Sequence, residues 1–113
     1  MSVKTSSKKA VLLILKGEID IEDILALKGI ISSCIEQEQF FFVLDFSGVT
    51  HVNVSGIEYI NERKERARNL GGDIKIIGSS EYVRNLFIYA GYWGEFEFYD
   101  NEEEAIMAFS SLI

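Results

Sequence analysis

The run Phe40-Phe41-Phe42-Val43-Leu44 constrains this chain more than any other stretch. Apolar residues without a polar interruption suit a strand covered on both faces, and such strands belong to sheets with helices packed over them. The strand is expected over Phe40–Phe46, with Ser47-Gly48 ending it and Val49–Asn53 forming a short polar turn. From Ile57 onward the apolar residues Ile57, Ile60, Ala67 and Leu70 recur at helical spacing with charges between them. Ser55 then falls at or near the N-cap of that helix, where a hydroxyl satisfies free backbone N–H groups. The same helix end would stabilise a phosphate, because its N–H groups and dipole present positive potential.

The rest of the chain alternates in the same way. Val3–Ser6 reads as a short edge strand followed by a turn at Ser6–Lys9, and Ala10–Lys16 as a buried strand. Gly17-Glu18-Ile19-Asp20 is expected to turn into a helix of about fifteen residues whose apolar stripe is Ile24, Leu27, Ile31, Cys34 and Ile35. Glu36–Gln39 gives a solvated exit. The helix begun near Ser55 ends at Leu70-Gly71-Gly72, where glycine closes it in the left-handed conformation. Asp73–Ile77 is the next strand, Gly78-Ser79-Ser80 caps a short helix with Val83, Leu86, Phe87 and Ala90 inward, and Phe96–Tyr99 is a last strand. Asp100 or Asn101 caps a C-terminal helix whose first turn, Glu102-Glu103-Glu104, suits the dipole. Alternating strands and helices predict an α/β fold with a parallel or mixed sheet.

Composition narrows the function classes. With 113 residues the chain is expected to form one domain over 1–113, and a net charge of −7 disfavours nucleic acid and anionic membrane surfaces as partners. No apolar run approaches the ~20 residues that span a bilayer, so direct membrane insertion is not expected. The basic N-terminus precedes only the short apolar stretch Ala10–Leu15, without a small-residue cleavage site, which argues against a secretory signal. Cys34, the one cysteine, cannot form an internal disulfide and fits a reducing cytoplasm. His51 is the one histidine, so a zinc site lacks its ligands, and no cofactor is expected.

Several residues invite chemistry but have plainer readings. Asp20 and Asp45 could be paired carboxylates for acid–base work; each is read instead as ending a strand and bonding local N–H groups. His51 could serve as a base for Ser55 and is read as a solvent-facing loop residue. Arg63, Lys64, Arg66 and Arg68 alternate with Glu58, Glu62 and Glu65 as a solvated helix face, with Glu62–Arg66 at pairing distance. Tyr92 and Trp93 are the aromatics expected to stay partly exposed, with at least one of them packing into the core.

At this point the chain resembles a known family. Leu44-Asp45-Phe46-Ser47-Gly48-Val49-Thr50, followed by Ser55-Gly56 opening a helix, resembles the STAS domain, named for sulfate transporters and anti-sigma factor antagonists. Leu15-Lys16-Gly17-Glu18-Ile19-Asp20 is similar to the family's Leu-x-Gly-x-Leu-Asp turn, Arg68–Gly72 to its helix-ending Gly-Gly, and Glu103-Glu104-Ala105 to its C-terminal Glu-Glu-Ala. The resemblance covers roughly Ala10–Ala108. It implies a STAS-like mixed sheet of about four or five strands with about four helices packed mainly on one side.

The resemblance further implies a non-enzymatic, cytoplasmic bacterial switch. In antagonist members a serine kinase that is itself the anti-sigma factor phosphorylates a serine in Asp-Ser-Ser-Gly, and the phosphorylated form no longer binds it. Carried over by position, the acceptor is Ser55 and the motif glycine Gly56, while Asn53 stands at the aspartate and Val54 at the first serine. The partner surface implied comprises Gly17, Glu18, Asp20, Asn53, Val54, Ser55, Gly56 and Ser80. The partner implied is an anti-sigma factor serine kinase, and a homodimer is left open. The alternative is an accessory or scaffold subunit, paired with a lipid-transport ATPase or in a stressosome-type assembly.

Overall fold

The apolar runs become the strands of one sheet. A computed structural model describes residues 2–5 and 10–109, so the turn expected at Ser6–Lys9 lies outside the described residues. In chain order the elements are β1 (Ser2–Thr5), β2 (Val11–Ile19), α1 (Ile21–Glu36), β3 (Phe41–Val52), a 3-10 turn (Val54–Gly56), α2 (Ile57–Asn69), β4 (Asp73–Ile77), α3 (Glu81–Tyr89), β5 (Phe98–Tyr99) and α4 (Glu102–Phe109). The sheet order is β1-β2-β3-β4-β5; β1 runs antiparallel to β2 and the other neighbours are parallel.

Alternation along β3 through Phe46, resumed out of phase after the register shifts with β2, builds two cores. Phe42, Leu44, Phe46, Val49 and Val52 join Ile24, Leu27 and Ile31 of α1, Ile57 and Ile60 of α2, and Val83, Leu86 and Phe87 of α3. Val43 points the other way, to Ala10, Ile77 and the α4 residues Ala105 and Phe109. The Phe109 ring stands edge-on to Phe41 with centroids 5.2 Å apart. Three helices therefore cover one face and α4 the other. Cys34 packs at the edge of the larger core, half-buried, and that burial pushes its thiol above the ordinary range. Trp93 is exposed, whereas Tyr92 packs against the core.

Three boundaries differ from the sequence-based expectation. β3 does not end at Ser47-Gly48, and Gly17–Ile19 is not a turn; both strands continue and pair with each other, Lys16 with Gly48, Gly17 with Val49, Glu18 with His51 and Ile19 with Val52. The pairing absorbs two register shifts, one of them beside Gly17, whose φ of +77° is one that a side chain would strain. Asp45 steadies the extension, its Oδ1 accepting the Ser47 N–H at 2.9 Å and the Ser47 hydroxyl at 2.5 Å. The last strand is shorter than expected, Phe98–Tyr99 rather than Phe96–Tyr99.

Helix α2 holds a second correction. Leu70 is exposed, and the buried stripe is Ile57, Ile60, Lys64 and Ala67. Lys64 was expected on a solvated face, yet it is wholly buried. Its Nζ donates to the Glu95 carbonyl oxygen and lies 4.4 Å from the Phe96 ring centroid, so the lysine pins the segment before β5 onto α2. Burial pulls its pKa down, the neighbouring Arg68 adds to that, and Glu65 and Glu95 oppose it. The expected Glu62–Arg66 pair is replaced by Glu62 with Arg63 at 2.8 Å and with Lys28 at 3.5 Å.

Lys64→Ala should accordingly cost about 2–5 kcal/mol, the range of a long buried side chain lost from a core. Arg66→Ala, at an exposed position of the same helix, should stay within about 0.5 kcal/mol. Urea denaturation of both variants checks this; equal, small effects would put Lys64 back in solvent.

Candidate functional site

The two strand extensions decide where the polar motifs meet. Past Ile19 and Val52 the chain leaves the sheet at one rim, and the Asn53 N–H donates to the Ile19 carbonyl oxygen at 2.9 Å, tying the two exits together. Asp20 then caps α1 in a reciprocal box: its Oδ1 accepts the Asp23 N–H at 2.9 Å, and the Asp23 carboxylate accepts the Asp20 N–H at 3.1 Å. The Asp23 N–H, foremost, holds the Asp20 carboxyl below the usual carboxylate range. Because that pKa is depressed in the folded state, the cap's contribution is present above the unfolded carboxylate pKa and is lost as pH falls through the folded value.

Asn53 opens the 3-10 turn, and the Gly56 N–H closes it onto the Asn53 carbonyl oxygen at 3.0 Å. This backbone bond replaces the side-chain cap expected of Ser55. The N-cap residue of α2 is Gly56, no side chain caps the turn or the helix, and Ser55 is exposed with its hydroxyl free of any protein partner among the described residues. Val54 beside it is 39% exposed. Asn53 is half-buried, and its Oδ1 is buried without a hydrogen-bond partner among the described residues.

Gly17 and Glu18 are exposed on the β2 extension, next to this turn. Ser80 caps α3, its Oγ accepting the Val83 N–H at 3.1 Å, and α3 packs against the 3-10 turn from the other side. The residues singled out from the sequence therefore gather at the C-terminal rim of β2, β3 and β4. His51 is no loop residue. It lies in β3 with Nδ1 2.8 Å from the Tyr82 hydroxyl, so its hydrogen bond reaches α3 rather than Ser55.

The opposite end of the sheet is polar but saturated. A cleft of about 570 Å³ there is lined by Arg68, Asp73, Lys75, Glu97 and Tyr99 among others. Arg68 Nε is 2.7 Å from Asp73 Oδ1, and Lys75 Nζ is 3.1 Å from Asp73 Oδ2 and 2.8 Å from Glu97 Oε2. Burial opposes the charge on both Asp73 and Lys75, but their hydrogen bonds win, lowering the Asp73 pKa and raising that of Lys75. Each cation there already has a carboxylate. Among the described residues no group of His, Cys, Asp and Glu could hold a metal, and no helix is long and apolar enough to cross a membrane.

Gly56 is the pivot of the Ser55 rim. A Cβ at this position would overlap Ile24 Cδ1 and stand 3.3 Å from Ile24 Cγ1 and 3.4 Å from Ile21 Cδ1. Only a residue without a side chain lets α1 come this close. Gly56→Ala should therefore destabilise by about 1–3 kcal/mol through overpacking. Ile24→Val, which removes Cδ1, should cost about 0.5–1.5 kcal/mol alone, and in the double variant the two costs should add to less than their sum. Denaturation of the four proteins measures the cycle, and strict additivity would contradict the close contact.

Comparison with known proteins agrees with this architecture. The STAS domain family model matches residues 2–105. An anti-sigma factor antagonist from Mycobacterium paratuberculosis superposes with a TM-score of 0.80 at 19% identity, over 96% of this chain and 92% of that one. The anti-sigma factor antagonist SpoIIAA in its unphosphorylated form gives 0.76 at 18% identity over 99% and 98%, and the Bacillus cell fate determinant SpoIIAA in its phosphorylated form 0.73 at 21% over 95% and 96%. A sulfate transporter family protein from Wolinella succinogenes gives 0.78 at 18% identity over 96% and 91%. With the sheet order, the helix placement and a family match across most of its length, the chain belongs to the STAS domain family.

Proposed function

We propose that this protein is a partner-switching regulator of the anti-sigma factor antagonist type, acting in the cytoplasm on an anti-sigma factor serine kinase and controlled by phosphorylation of Ser55. The observation that carries the reading is the Ser55 hydroxyl: exposed, without a protein partner among the described residues, and raised on a 3-10 turn at the rim. A kinase can reach such a hydroxyl without unfolding anything. The fold shared with SpoIIAA, known in phosphorylated and unphosphorylated forms, supports the same reading. The protein acts by binding rather than by turnover; His51, the one candidate base, is engaged by Tyr82 and does not serve Ser55.

The switch is electrostatic. Phosphorylation would add about −1.5 to −2 charge, and Glu58, Asp20 and Asp23 nearby offer it no cation. Desolvating that charge against a partner would cost several kcal/mol, and about 1.4 kcal/mol per tenfold makes this a hundredfold loss or more. The accessory-subunit reading is favoured by one observation, the exposed Val54 where antagonists carry a serine.

Mass spectrometry after incubation with the anti-sigma factor serine kinase of the same organism and ATP should find one phosphate, on Ser55. Ser55→Ala should bind the kinase and stay unmodified, and Asn53→Asp should speed phosphorylation by restoring a carboxylate to the motif. No phosphate on Ser55, with Ser55→Ala and Ser55→Asp binding equally, would contradict the switch and favour the accessory role.

A further inference from the structure

The rim around Ser55 carries apolar surface that the core does not use. Ile21 is 36% exposed, Leu25 49% and Val54 39%. Ile21 and Leu25 stand one turn apart on α1 and so share a face. Ile21 Cδ1 reaches to 3.4 Å from where a Gly56 Cβ would be, which places this face beside the turn bearing Val54 and Ser55. Farther along, Lys28 of α1 bonds Glu62 of α2 at 3.5 Å and lies 5.0 Å from the Tyr59 ring centroid, closing the seam between the helices. The apolar ridge thus lies at the open end of the α1–α2 seam, with Ser55 at its head.

The unpaired charge around the ridge is of one sign among the described residues; Lys28, one turn beyond Leu25, is engaged by Glu62. Glu18, Asp20, Glu22, Asp23 and Glu58 border it, and none has an ion-pair partner among the described residues. By contrast, every salt bridge of the described residues has at least one partner at or beyond the second turn of α2, and only Lys28 with Glu62 reaches back to α1. An apolar centre ringed by unpaired carboxylates matches a partner with the complementary arrangement: apolar side chains in the middle and lysines or arginines at the edge.

We propose that the Ile21–Leu25–Val54 ridge is the docking surface for an amphipathic, basic helix of the protein partner, seated against α1 with its cations over Glu18, Glu22 and Glu58. The proposal rests on the partner-switching reading and specifies its partner's chemistry. It also explains how one phosphate opposes a basic partner: at Ser55 the charge lies at the head of the ridge, beside Val54, where the docked helix would dehydrate it, rather than among the exposed carboxylates where it would attract. The carboxylates set the rate of encounter and the ridge sets the lifetime of the complex.

The test needs no identified partner. The isotope-labelled protein is titrated with a helical peptide of about eighteen residues, leucines on one face and lysines on the other, and with its leucine–glutamate counterpart. The lysine peptide should shift the amide signals of Ile21, Leu25, Val54 and their neighbours, less so at high salt, and the glutamate peptide should not. Leu25→Ser, a change at an exposed position that leaves the fold intact, should weaken binding by about tenfold, and Glu58→Lys should weaken it at low salt only. Shifts centred on Tyr89 and Trp93, equal binding of both peptides, or no binding would each overturn the docking surface. None of these outcomes depends on Ser55 modification, so a Ser55 that takes no phosphate while the ridge still binds removes the switch and leaves the surface standing.

Discussion

The approach of α1 to the 3-10 turn governs the geometry of the candidate site. Gly56 has no side chain, Ile24 fills the space that one would take, and the turn is thereby clamped between α1 and the sheet. Ile24 is itself wholly buried, so it has little room to move aside. The Asn53–Ile19 bond fixes the turn from the strand side, and α3 packs on it from the remaining direction. Held from three sides, the turn leaves Val54 and Ser55 outward. The exposure of Ser55 is thus a consequence of core packing and owes nothing to its own hydroxyl.

Much of this fold was legible in the residues because burial there is uninterrupted. Asp73–Ile77 reads as a strand and is one, all five residues buried, and Gly71 closes α2 with φ +90° as a glycine at that place should. The extension of β3 was not legible. Ser47, Gly48 and Thr50 look like a turn, but a strand whose backbone pairs with β2 tolerates polar side chains on its open side, and two register shifts break the alternation so that the buried Val49 and Val52 stand three residues apart. Lys64 was missed for a related reason. Its spacing from Ile57, Ile60 and Ala67 marks the buried stripe, yet its charge argues for solvent, and only the carbonyl of Glu95 and the ring of Phe96, thirty-odd residues away in the chain, resolve the conflict. The gathering of Gly17–Asp20, Asn53–Gly56 and Ser80 at one rim follows from parallel strands ending together, and the stripe Ile24, Leu27, Ile31 and Ile35 already left Ile21 and Leu25 off the core face, though not which neighbours they would meet.

The two ends of the sheet divide the electrostatic labour. At the β4–β5 end, Asp73 and Lys75 are buried and matched by Arg68 and Glu97, so their charges are spent on holding α2, the sheet and β5 in register. At the Ser55 end the carboxylates have no ion-pair partner among the described residues, Asp20 and Asp23 bonding only backbone N–H groups, and their field is free to act on whatever approaches. A protein that recognises others by charge has use for such a division: one end rigid and self-contained, the other rigid in backbone but electrostatically unsatisfied.

The central claim is that the Ser55 turn is shaped by packing beneath it, so that charge placed on Ser55 changes the surface and leaves the fold alone. The direct measurement is the amide spectrum of Ser55→Asp against that of the unaltered protein. Signal changes should be confined to the rim, around Glu18–Leu25 and Asn53–Tyr59, with the amides of Lys64, β4 and α4 unmoved. Changes spreading through β4 and α4 would contradict the account and mean that the Ser55 side chain helps to hold the fold together.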